Sequence, residues 1–221
     1  MRSPLNEHSF SMALDAVSRK TRAINLDASP VPKRDLIRRA AIDVFAERGY
    51  FNSQVADVAR AAGVAAGTVY LYFKSKDDLL VSIFERSMRD GLAAGRAAVA
   101  DLDDPRERLR RLAHGHLERL GRDRNLAIVF QVELRQSTKF MERFSATLLR
   151  DYLGLIRAAI ADGQREGLFR SDIKPTVAAK VLFGALDEMA TNWILSRRRY
   201  SLEADADAVV DLFVNGARSR P

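Results

Sequence analysis

The sequence predicts an all-α protein in which an N-terminal three-helix helix-turn-helix unit precedes a larger helical domain. Three observations carry that expectation. Apolar residues recur three and four positions apart, the spacing that lines one face of a helix. Caps, prolines and glycines stand where helices start and stop. No stretch shows the sustained alternation, bounded by hairpin turns, that marks strands.

Residues 1–32 read as a flexible arm, punctuated by Pro4, Pro30 and Pro32 and without a sustained apolar stripe. Residues 33–80 read as a compact unit. Its first helix sets Ile37, Ala41, Val44 and Phe45 on one face and stops at Gly49. Ser53 stands where an N-cap belongs, ahead of a short helix that turns Val55, Val58 and Ala59 inward. Gly63 breaks that helix and Val64 plugs the core. Gly67 and Thr68 then open another helix, about 66–73, whose Val69 and Phe73 pack inward. Ser75 and Asp78 have capping-box spacing for a helix through Leu79, Ile83 and Met88.

Residues 81–221 read as helical throughout. Asp104-Pro105-Arg106-Glu107 places an N-cap, a first-position proline and a third-position acid, starting a helix that reaches about Leu120. A further helix covers about 125–136. The stripe Met141, Phe144, Leu148, Tyr152, Leu155 and Ala159 marks a long one ending near Gly167. Pro175 opens a helix to about Arg197, and Ser201 begins a last one that closes at Gly216.

With 221 residues and 47% hydrophobic content, the chain can bury an ordinary core plus a small one. Cysteine is absent, which excludes a disulfide framework, a thiol nucleophile and a cysteine metal site. The start of the chain has no continuous apolar run followed by a small-residue cleavage site, and no later run reaches roughly 18 apolar residues. A cytoplasmic location without membrane contact is therefore expected. His114 and His116 sit two apart on a helix, where their rings diverge and chelate poorly, and His8 lies in the arm. No nucleophile elbow or glycine-rich phosphate loop is present, so neither an enzyme nor a metal protein is expected.

The net charge of +7 favours an anionic partner. Yet residues 33–86 hold nine basic groups against seven acidic ones. The excess lies in Arg19, Lys20 and Arg22, in residues 106–124 with seven basic and three acidic side chains, and in Arg197, Arg198 and Arg199.

Two short helices around a glycine turn form the unit that offers its second helix to the DNA major groove. The run AAIDVFAERGY and the longer VADVARAAGVAAGTVYLYFKSKDDLL resemble the DNA-binding domain of the TetR family of bacterial transcription regulators. The resemblance implies base and phosphate contacts from Ala66, Gly67, Thr68, Tyr70, Leu71 and Tyr72, with Ser53 and Gln54 donating to phosphate. Lys76, in the first turn of the next helix, suits another phosphate. No arginine is poised for a guanine edge, so specificity is expected to rest on apolar contacts and DNA shape.

NLAIVFQVELRQS, TKFMERF, IRAAIADGQREGLF and FGALDEMATNWIL resemble one branch of that family, the FadR regulators of fatty-acid degradation. The resemblance implies a repressor that holds operator DNA when free and lets go when a long-chain acyl-CoA binds. Phe130, Leu134, Phe144, Leu148, Tyr152, Ile156, Phe183, Leu186 and Trp193 could then line an acyl tunnel. Arginines between 106 and 124 offer planar forks for phosphate, with Arg122 and Arg124, in the expected loop, ranked first. The family also implies a homodimer. The helix from Pro175 is apolar on one face through Val177, Val181, Ala185 and Leu195 and on another through Leu182, Leu186, Met189 and Trp193, as a helix shared between two cores would be. The natural lever between the domains is the helix from Lys76 to about Met88. A repressor of an efflux or detoxification system, sensing another lipophilic molecule, is the competing reading.

Overall fold

The computed structural model describes residues 32–133, 135 and 145–218. The described residues form nine α-helices and no strand beyond a single bridge between Phe169 and Arg218, so the all-α class holds. In chain order they are α1 (Lys33–Arg48), α2 (Val55–Ala61), α3 (Ala66–Tyr72), α4 (Lys76–Val99), α5 (Pro105–Arg122), α6 (Arg124–Ile128), α7 (Arg150–Arg165), α8 (Pro175–Leu195) and α9 (Ala206–Ala217). Two π-helical turns, Val129–Glu133 and Ser145–Leu149, and a 3-10 turn, Leu202–Asp205, complete the set. The arm below Pro32, and the expected Leu134, Phe144 and Met141, lie outside the described residues. The described residues from Ile37 onward form one compact unit.

The helix ends show why the chain breaks where it does. Gly63 adopts φ +65°, which lets Val64 N–H bond Ala59 C=O at 3.0 Å and Gly63 N–H bond Arg60 C=O at 3.2 Å. This paired closure needs a left-handed residue. Ser75 Oγ accepts from Asp78 N–H at 3.0 Å, while the Asp78 carboxylate accepts from Lys74 N–H at 2.9 Å. Asp104 caps α5 through Arg106 N–H at 2.9 Å, with Pro105 in the first helical position.

Several boundaries differ from expectation. The N-cap of α2 is Gln54, not Ser53, and the Asp57 carboxylate holds its N–H at 3.0 Å. Helix α4 continues past Met88 to Val99 because Gly91, Leu92, Gly95 and Val99 keep one face packed. Its 24 residues span about 36 Å at 1.5 Å each. The break after α5 is a single residue, Asp123, which at once caps α6 through Leu126 N–H at 3.1 Å.

Two hydrophobic clusters hold the fold. One gathers Ile37, Phe45, Val58, Val69, Phe73, Leu79, Leu80 and Ile83 from α1 to the first half of α4. The other gathers Leu109, Leu117, Ile156, Ile160, Leu182 and Leu186 from α5, α7 and α8. Full burial of each such side chain is worth about 1.5–3 kcal/mol. Val129 is buried in the first cluster, and Phe130 packs against both.

Candidate DNA-reading surface and effector cavity

Helix α3 divides its residues as a reading helix must. Val69 and Phe73 are buried, which fixes the helix on the first cluster. Tyr70, Tyr72 and Leu71 face outward, the last at 82% exposure. Ala66 and Gly67 are exposed and Thr68 is half-buried. Gln54 is exposed at the start of α2.

Two expected phosphate contacts turn inward instead. Ser53 is buried, and its hydroxyl donates to Gly49 C=O at 2.7 Å. Lys76 spends its ammonium on Tyr50 C=O and Ser53 C=O, each at 2.9 Å, and sits 4.3 Å from the centre of the Tyr50 ring. Its cation thus closes the loop between α1 and α2. Lys74, two residues earlier, is exposed and forms no ion pair among the described residues. Sequence spacing alone did not separate these two lysines; only the direction of the first turn of α4 does.

A seam ties this unit to the helices beyond it. Glu133 is buried, and its carboxylate accepts Tyr50 N–H at 2.7 Å. Phe130 meets Phe84 edge-on at 4.8 Å. Asn125 Nδ2 donates to Asp43 at 2.8 Å, and Arg39 pairs with both Asp43 and Asp123. Residues 125–133 therefore touch α1, the turn after it and α4.

Those same residues wall an inner cavity of about 90 Å³ lined by Met88, His116, Arg119, Phe130, Gln131, Leu149, Tyr152, Phe183 and others. Of the expected tunnel residues, Phe130, Tyr152 and Phe183 line it. Ile156 and Leu186 are core, and Leu148 packs on that core without lining the cavity. Trp193 is core too, its Nε1–H bonded to Tyr200 C=O at 3.0 Å. Arg135 pairs with Asp187, to which Gln131 donates at 2.8 Å, giving the cavity a polar wall.

Outside it lies a groove of about 500 Å³ lined by Arg110, Arg111, His114, Arg119 and Arg122 with Glu107, Glu118 and Glu203. Arg122 belongs to it, in the last turn of α5 and paired with Glu118. Arg124 does not. It starts α6, stacks 4.9 Å from the Trp193 ring and donates to the carbonyls of Trp193 and Ile194 at 3.1 and 2.7 Å, capping the end of α8. It was expected in a loop; the single-residue break at Asp123 leaves it none.

His114 and His116 point to different partners, as their spacing implied. His114 reaches Glu203 and Asp207 at 3.1 and 3.0 Å, and these carboxylates raise its pKa. His116 faces Tyr152 Oη at 3.2 Å, and burial, then the Arg119 charge, lowers its pKa to about 4. The inward role of His116 had a signal in the sequence. It stands in the apolar stripe Leu109, Leu112, Ala113, Leu117 and Leu120.

On α8, Leu182, Leu186, Ala190 and Trp193 are buried, while Val177, Val181 and Leu195 are exposed at 50%, 59% and 72%. Leu212 on α9 is exposed at 78%.

Comparison with known proteins gives this architecture a family. Residues 37–83 match the model for bacterial regulatory proteins of the tetR family, and residues 84–216 match that for the YsiA-like protein C-terminal region. The fatty acid metabolism regulator protein of Bacillus subtilis is 35% identical over 189 residues, covering 86% of this chain and 97% of its own. The fatty acid degradation regulator FadR from Bacillus halodurans superposes with a TM-score of 0.80 at 38% identity, covering 87% of this chain and all of that one. FadR from Bacillus subtilis, solved in complex with stearoyl-CoA, gives 0.78 at 35% identity over 83% of this chain and 98% of that one. The chain belongs to the TetR family of bacterial transcription regulators.

Proposed function

We propose that the protein is a cytoplasmic, homodimeric repressor of fatty-acid degradation genes that holds operator DNA when free and releases it when a long-chain acyl-CoA binds. The carrying observation is the joined pair of spaces: a cation-rich outer groove and a mainly apolar inner cavity share Arg119 and Tyr152 as walls. An acyl-CoA has two parts of matching character, phosphates and an apolar chain. The FadR relative bound to stearoyl-CoA supports the reading. The action is binding rather than catalysis.

The groove's arginines are mostly engaged: Arg110 with Asp207 and Asp211, Arg122 with Glu118, Arg111 with Glu107. Such solvent-exposed pairs are worth about 0–1 kcal/mol each. Phosphate can displace them at little cost, and bidentate arginine contacts to phosphate are stronger.

The inner cavity has room for about three waters at roughly 30 Å³ apiece. A methylene is of similar size, so a long chain needs several times that space and must move the walls. The π-helical turns Val129–Glu133 and Ser145–Leu149 contribute Phe130, Gln131 and Leu149. Displacing the first of them pulls on Phe84 and on the Glu133 bond to Tyr50, at the entry to the DNA-reading unit. In this reading the lever is residues 125–133 as much as α4. The DNA face is α3 through Ala66, Gly67, Thr68, Tyr70, Leu71 and Tyr72, with Gln54 and Lys74 on phosphates. The dimer forms through the exposed apolar face of α8 and Leu212 of α9, and the two clusters divide the chain along α4 into a reading part and a sensing, pairing part.

The test is a mobility shift on the protein's own promoter with acyl-CoAs of graded length. Release by palmitoyl-CoA is expected; an operator affinity unchanged by saturating acyl-CoA removes the reading.

A further inference from the structure

The neck where groove and cavity meet carries one desolvated hydrogen-bond donor without an acceptor, beside a guanidinium with no carboxylate partner among the described residues. His116 lines the inner cavity, is more than nine-tenths buried at 8% exposure, and its Nε2 has no hydrogen-bond partner among the described residues. Its tautomer follows from its neighbour. Burial pushes the Tyr152 phenol up to about 12, so it keeps its proton, and the atom it faces is His116 Nδ1 at 3.2 Å. The phenol proton has no other acceptor among the described residues, so the arrangement that satisfies it has the hydroxyl donating to Nδ1 and the neutral imidazole carrying its own proton on Nε2.

Arg119 follows three residues later, on the same face of α5. It lines both spaces and lies across Gly91, where a Cβ would overlap its guanidinium. It donates to Ser87 C=O. No carboxylate lies within ion-pair distance of it among the described residues, unlike Arg110, Arg111 and Arg122 in the same groove. A buried donor left without an acceptor is destabilising, so this neck favours a ligand that brings an oxygen.

Resting on the acyl-CoA reading above, we propose that His116 Nε2–H and the Arg119 guanidinium receive the acyl carbonyl oxygen of the ligand, with Tyr152 as the positioning residue that sets the His116 tautomer. The chain beyond that carbon enters the inner cavity, and the phosphates lie along the outer groove. The site thereby registers where the acyl group begins and discriminates an acyl thioester from an alkyl chain of equal length. The same oxygen occurs in a thioester and in a free carboxylate, and the experiment separates the two.

Binding of palmitoyl-CoA, of its thioether analogue S-hexadecyl-CoA (which lacks the carbonyl) and of palmitate would be measured by calorimetry on the full chain. The wild type is expected to prefer palmitoyl-CoA over the thioether by about tenfold, the worth of one or two buried hydrogen bonds. His116→Phe should abolish that preference, Tyr152→Phe should shrink it, and His116→Gln, which keeps an amide donor, should retain part of it. Equal wild-type affinity for the two CoA compounds, or a preference unaltered in His116→Phe and Tyr152→Phe, overturns the assignment while leaving the acyl-CoA reading intact. Wild-type protein that binds neither CoA compound overturns both. Palmitate binding as tightly as palmitoyl-CoA, and losing affinity in His116→Phe, assigns the oxygen to a free carboxylate and overturns the thioester.

Discussion

Replacing Glu133 with alanine is expected to weaken operator binding and to blunt the response to acyl-CoA at the same time. The Glu133 carboxylate holds Tyr50 N–H at 2.7 Å in a buried setting. Charge-assisted bonds of this kind contribute about 1.5–3 kcal/mol. In the proposed mechanism the bond belongs to the DNA-holding form and is lost when an acyl chain displaces the Val129–Glu133 turn. Its contribution then enters the coupling free energy directly, and about 1.5–3 kcal/mol corresponds to about 10- to 150-fold in operator affinity. The assay is fluorescence anisotropy on the promoter duplex at fixed salt, with and without saturating palmitoyl-CoA, because salt alone changes such affinities strongly. The ratio of the two affinities should contract about tenfold or more in Glu133→Ala. Glu133→Gln, which keeps an oxygen acceptor without the charge, should fall between. A Glu133→Ala protein that is folded and retains the wild-type ratio refutes the coupling role of this bond.

Leu71→Ala should leave thermal stability within about 0.5 kcal/mol, as an 82% exposed side chain supports no core, yet weaken operator binding measurably; unchanged operator affinity in a gel shift would take α3 out of the reading role. Leu212→Glu should turn the proposed dimer into a monomer by analytical ultracentrifugation, since it sets charge at the exposed apolar side chain of α9; a dimer of unchanged affinity would place the interface elsewhere. His116 makes stability depend on acid. Its folded pKa, lowered to about 4 by burial, lies below the ordinary value of 6.5, so its contribution is whole above about pH 6.5 and is lost as pH falls towards 4. The loss by pH 4 is at most about 3 kcal/mol at 1.36 kcal/mol per pH unit. Denaturant melts of wild type and His116→Gln over that range should differ in slope accordingly, and parallel curves would contradict it.

The α3 residues and the helical order were legible because both rest on local rules: spacing of apolar residues, glycine at Gly63, caps at Ser75 and Asp104. Val69 and Phe73 inward with Tyr70 and Leu71 outward follow from the 100° step of a helix and need nothing else. The cavity-lining residues depend on contacts between distant segments, and spacing does not separate them from the core. Phe130, Tyr152 and Phe183 meet around the inner cavity, but Ile156, Leu186 and Trp193 share the same apolar signature and fill the core instead. Arg124 carries the same charge as Arg122, and only the position of the end of α8, 70 residues on, decides that it caps a helix. That Lys76 and Ser53 turn to backbone carbonyls escapes spacing for a related reason. A lysine or serine at a helix start serves phosphate or backbone equally well until the neighbouring loop is placed.

The two π-helical turns beside the inner cavity give this lever an unusual freedom. A π turn is an α-helix carrying one residue too many for its length, and such turns gather at functional sites. An extra residue can be passed along a helix without opening it, each residue it passes turning by about one α-helical step of 100°. For the turn ending at Glu133, one such step would swing the carboxylate away from Tyr50 while leaving α6 before it hydrogen-bonded. In the proposed mechanism the signal would travel as a dislocation, and the DNA-reading unit would be released without α6 having to melt.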